Sequence, residues 1–129
     1  MVRTARLALV LYLLAGAAVT LGPTPEDLFT TGTRTVKDLT GGGLSTAAIE
    51  AGANVALFVP VGFLLCLALP AVRRVLLWGA CVAASAAIEL YQYAGSGRDA
   101  SVRDLVMNSL GAAIGVVLAW AVTRARAPR

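Results

Sequence analysis

Six polar side chains able to bind a ligand or move a proton sit at helical spacing inside apolar sequence. Glu50 and Asn54 are four residues apart. Glu89 and Gln92 follow Ser85 at intervals of four and three. Asp104 and Asn108 are again four apart, and Gly111 and Gly115 continue their line. Such spacings put each set on one face of a helix. Glu89 and Asp104 are the candidates for acid–base work. Asn54, Gln92 and Asn108 offer amides that orient a ligand, and Arg98 offers a cation for an anionic group. The chain has no histidine, which removes His-activated nucleophiles and most zinc chemistry. No metal-ligand spacing accompanies the carboxylates, so neither metal nor cofactor is expected.

The elements that carry these residues are membrane spans. Hydrophobic residues make up 58% of the chain and charged residues 14%, too few to cover a soluble domain of this size. The 129 residues suffice for one domain, 1–129. Four runs approach the roughly 20 apolar residues that cross a bilayer as a helix. They read as Thr4–Leu21, Thr46–Leu69, Val75–Ala94 and Leu105–Thr123. The runs are continuous and rich in Ala and Leu, unlike the alternation of barrel strands. The expected fold is therefore an all-α bundle of four transmembrane helices. The net charge of +4 does not indicate nucleic acid, because the basic residues flank spans and lack interleaved aromatics.

Charge placement sets an expected topology. Arg3, Arg6, Arg73, Arg74, Arg124, Arg126 and Arg129 lie at span ends that the positive-inside rule assigns to the cytoplasm, with both termini. All seven acidic residues then fall on the outer side, with Arg34, Lys37, Arg98 and Arg103. The six polar residues come to roughly the outer third of the bilayer, with Arg98 and Arg103 above them. The first span has a rival reading as a signal peptide, from Arg3, Arg6 and Ala15-Gly16-Ala17. Its apolar run continues to Leu21, which favours an anchor. In the outer loop, Thr24-Pro25-Glu26-Asp27 reads as the start of a short surface helix. Gly41-Gly42-Gly43 reads as a flexible lead into the second span.

Structural roles compete for most of these residues. Ser101 and Asp104 resemble a capping box. Glu50 fits the water interface, and Asn54 and Asn108 fit interhelical hydrogen bonding. Glu89 lies deeper and needs protonation or an arginine partner. Gly111 and Gly115 form G-x-x-x-G, read as close helix packing; association of two copies stays open. Pro60 and Gly62 are expected to kink the second span. Cys66 and Cys81 read as small apolar packers.

Asn54-Val-Ala-Leu-Phe-Val-Pro60-Val-Gly62-Phe63 resembles the N-x-x-x-F-x-P-x-G-F signature of the VanZ-like family. Ser85 to Gln92, and Gly97-Arg98 through Asp104, Asn108, Gly111 and Gly115, resemble its second half. VanZ-like proteins are small bacterial membrane proteins, named for a member linked to low-level teicoplanin resistance. The resemblance implies a multi-pass protein of the bacterial cytoplasmic membrane and a role in the cell envelope. It emphasises Asn54, Pro60, Gly62, Glu89, Gln92, Arg98, Asp104, Asn108 and Gly111. Two functions are expected to compete. One is a binding or accessory protein whose outer polar cleft takes a membrane lipid headgroup, a lipid-linked wall precursor or a glycopeptide. The other is a membrane enzyme on a lipid-linked substrate, with Glu89 and Asp104 as its acid–base pair. A transport path is disfavoured, since the inner halves of the spans carry almost no polar residues.

Overall fold

A computed structural model describes residues 1–21, 25–95 and 101–126. The chain forms five helices: α1 (Val2–Leu21), α2 (Pro25–Leu39), α3 (Thr46–Ala68), α4 (Arg74–Gly95) and α5 (Val102–Ala125). No strand occurs among the described residues. The four long helices begin and end within three residues of the expected spans. Three of them, α3, α5 and Arg74–Tyr91 of α4, are long and apolar enough to cross a membrane. Their large apolar side chains point outward: Leu57, Leu76, Leu90, Val117 and Leu118 are all exposed. Water would not tolerate so continuous an apolar surface, whereas lipid would.

The surface helix expected in the outer loop is α2, and Pro25 is its first residue. Pro suits that position because its missing N–H would have no helical acceptor there. The expected Thr24 cap lies outside the described residues. The glycines that follow α2 do more than give slack. Gly41 and Gly42 hold positive φ, at 60° and 77°. The Gly42 N–H donates to Lys37 O at 2.8 Å and the Gly41 N–H to Asp38 O at 3.3 Å. This pair of bonds is a Schellman motif that closes the helix. Ser45 then caps α3 by accepting the Ala48 N–H at 3.2 Å. Lys37 Nζ donates to Thr46 Oγ1 at 2.7 Å, tying the end of α2 to the start of α3.

The closest packing is between α3 and α5, which run parallel. A Cβ on Gly62 would stand 2.3 Å from Ala112 O, and one on Gly111 2.3 Å from Val55 O. A Cβ on Gly115 would stand 2.1 Å from Val59 O. No side chain fits in such gaps, so the two backbones touch directly. This finding resolves the G-x-x-x-G line: both of its glycines are consumed inside the chain against α3. Gly62 likewise serves contact, and α3 continues through Pro60 as one helix.

The remaining helices attach by polar side chains. Asn108 Nδ2 donates to Ser85 Oγ at 2.9 Å, joining α5 to α4. Both residues are buried. On α1, Arg6 Nε donates to Ala68 O at 3.1 Å and Tyr12 Oη to Leu57 O at 2.9 Å. These bonds lay α1 antiparallel along α3. They also sort the charges. Arg6, Arg74 and Arg126 gather at one end: Arg74 Nη2 donates to Thr123 Oγ1 at 3.2 Å, and Arg126 Nη1 lies 3.7 Å from Met1 Sδ. Glu50, Glu89 and Asp104 lie at the opposite end.

Candidate functional site

The acidic end is organised by the first turn of α5. Ser101 is the helix cap, and its Oγ accepts the Asp104 N–H at 3.2 Å. A reciprocal capping box would have the Asp104 carboxylate take the Ser101 N–H. Here that N–H donates to Glu89 Oε2 at 2.8 Å, across from α4. Glu89 therefore completes the cap from a neighbouring helix and joins the α4–α5 corner. This supplies a partner for an acid set well inside its span, where an isolated carboxylate would be costly.

Released from that role, the Asp104 carboxylate is left incomplete. Its Oδ1 is sequestered from solvent and has no hydrogen-bond partner among the described residues. Arg103 Nε approaches it at 3.8 Å, too far for a hydrogen bond. Arg103 commits its other side to α3, where Nη2 donates to Glu50 Oε2 at 2.7 Å. One arginine thus bridges two acids from two helices. Its side chain is 43% exposed and that of Glu50 35%, so the pair stays within reach of water or a headgroup.

Of the residues expected at the site, Glu89 and Asp104 are brought to one helix turn, both held by Ser101. Asn108 is buried beneath them and spent on Ser85. Asn54 is half-buried one turn below Glu50 on α3 and makes no side-chain hydrogen bond with a described residue. Gln92 lies on α4 by its backbone, and Arg98 lies outside the described residues. Gly62, Gly111 and Gly115 sit in the α3–α5 seam and position the site without entering it, and Pro60 lies within α3.

Sequence reasoning overlooked a groove beside this cluster. Ala86, Glu89, Leu90 and Tyr93 of α4 face Ser101, Val102 and Leu105 of α5 around a space of ≈ 320 Å³. Leu90, Tyr93 and Val102 are highly exposed. The groove is almost wholly apolar, with Glu89 among its lining residues, and its exposed rim of Leu90, Tyr93 and Val102 faces outward from the bundle. No spacing or motif singled out Leu90, Tyr93 or Val102 in the sequence. Only the α4–α5 pairing sets them opposite one another. The groove can hold a hydrocarbon chain close to the polar end of the bundle, and so suits an amphiphile.

Compared with known proteins, the chain matches the family model described as VanZ/LLP1 over residues 9–123, nearly its whole length. No curated protein and no solved structure matches it.

Proposed function

The chain belongs to the VanZ/LLP1 family, and from that premise we propose that it is a multi-pass protein of the bacterial cytoplasmic membrane that binds an envelope amphiphile. α1 is the fourth span, and the arginine-rich end with both termini faces the cytoplasm. The acidic end then lies at the outer headgroup level. Its ligand is a lipid headgroup, a lipid-linked wall precursor or a glycopeptide of the teicoplanin type. Binding underlies any tolerance to such drugs.

One observation carries this reading: an apolar groove on the flank of α4 and α5 has Glu89 in its lining, at the polar end of the bundle. A chain entering from the bilayer would lie along Leu90, Val102 and Leu105. Its polar head would reach the partly exposed Arg103 at the same end of the bundle.

The test is retention of a lipid-linked wall precursor, and separately of teicoplanin, by protein in lipid nanodiscs. Leu105→Trp fills the groove and should reduce retention at least about tenfold, the effect of roughly 1.4 kcal/mol. Asn54→Ala, away from the groove, should not. If neither probe is retained, or if Leu105→Trp retains both like the wild type, the binding reading fails.

A further inference from the structure

A second cavity lies at the opposite end of the bundle. It measures ≈ 230 Å³, and its lining includes Cys66, Arg73, Arg74, Leu77, Ala119 and Thr123. Cys66, Leu77 and Ala119 are buried and form its apolar floor. Its wall carries two adjacent arginines. Arg74 is aimed by the Thr123 hydroxyl, which accepts from Nη2 at 3.2 Å. The Arg73 guanidinium forms no hydrogen bond or ion pair with a described residue.

Two neighbouring cations are engaged elsewhere. Arg6 is bonded to Ala68 O, and Arg124 lies 5.2 Å over the Trp120 ring. The acids with described side chains, Asp38, Glu50, Glu89 and Asp104, all belong to the other end. Two guanidinium groups thus line a cavity with no carboxylate to balance them among the described residues. Arginine rims are ordinary topology signals. A cavity with an apolar floor, one arginine pinned over it and another unpaired is more specific than a rim requires.

We infer that this cavity is a binding site for a phosphate group, with Arg73 and Arg74 contacting its oxygens and Thr123 holding Arg74 in place. Guanidinium forks match phosphate oxygens in geometry and charge. The phosphate has two sources, an anionic phospholipid of the adjoining leaflet or the free anion. Basic pockets between spans are suited to lipid headgroups. This site is separate from the groove at the acidic end and holds whether or not that groove binds anything.

The experiment is native mass spectrometry of the detergent-purified full chain with phosphatidylglycerol or phosphatidylcholine. Thermal unfolding with inorganic phosphate is measured in parallel. Wild type should retain phosphatidylglycerol in preference to phosphatidylcholine. Arg73→Gln with Arg74→Gln should weaken that retention at least about tenfold, as expected on losing charge-assisted hydrogen bonds. Arg3→Gln with Arg124→Gln removes the same charge from the same end and should leave retention near wild type. Thr123→Val should give an intermediate loss with no change of charge. Displacement of the lipid by millimolar phosphate identifies the free anion as sufficient; resistance to displacement identifies the lipid headgroup. Equal loss in both double variants means a diffuse basic rim and overturns the site. So does equal retention of the two lipids without stabilisation by phosphate.

Discussion

Glu89 accepts the Ser101 N–H at 2.8 Å from another helix, so its removal strips α5 of half its cap. Glu89→Ala should cost about 1–3 kcal/mol by leaving a part-buried donor unmet. Glu89→Gln keeps an acceptor oxygen and should recover most of that loss. Thermal unfolding in detergent separates the two, and equal losses would mean that the charge, not the hydrogen bond, matters. The Glu50–Arg103 pair differs in kind. It is short, at 2.7 Å, but about two-fifths exposed. A double-mutant cycle with Glu50→Gln and Arg103→Gln should return at most about 1 kcal/mol of coupling. A much larger coupling would mean that the pair is dry within the membrane.

At the level of elements, the α3–α5 seam is the most exacting part of the molecule. A Cβ at Gly115 would meet Val59 O at 2.1 Å, a backbone atom that cannot swing aside. Gly115→Ala should therefore force the helices apart and cost about 1–3 kcal/mol or more. Gly52, also on α3, has nothing within 4 Å of its Cβ position. Gly52→Ala should be neutral or stabilising by up to about 1 kcal/mol through helix propensity. The contrast is read in the same unfolding assay, and equal effects would count against direct backbone contact. Asn108→Ala should cost about 0.6–2 kcal/mol, since it deprives buried Ser85 of its partner across α4 and α5.

For the molecule as a whole, the segregation of charge predicts orientation. The bonds from Arg6 to Ala68 and Arg74 to Thr123, with the Arg126–Met1 contact, put the start of α1, the α3–α4 turn and the end of α5 together. With α1 as a fourth span, the proposed topology puts both chain ends on one side of the membrane. With Cys66 and Cys81 replaced by Ser, Lys37→Cys should react with an impermeant maleimide on intact cells. Arg126→Cys should react only after permeabilisation. The reverse pattern would invert the topology and move the groove to the inner leaflet.

The helices were legible because each span is a long apolar run bounded by charge or turn residues, a local property of the chain. So were the stripe from Asp104 to Gly115 and the gathering of Glu50, Glu89 and Asp104 at one depth, which follow from helical spacing and alternating direction. The family signature was legible for the same reason, as it is carried by Asn54, Pro60, Gly62 and their fixed offsets. Pairing across helices was not. A helix face shows which residues are available but not which neighbour they meet. Only packing decided that Gly111 and Gly115 press on α3 while Asn108, about a turn before them on α5, reaches α4. The cap of α5 makes the point most sharply. Locally Ser101 and Asp104 form a self-contained box, yet Glu89 arrives from α4 and takes the N–H. That displacement leaves Asp104 Oδ1 without a hydrogen-bond partner beside Arg103, and no spacing rule within a single helix contains it.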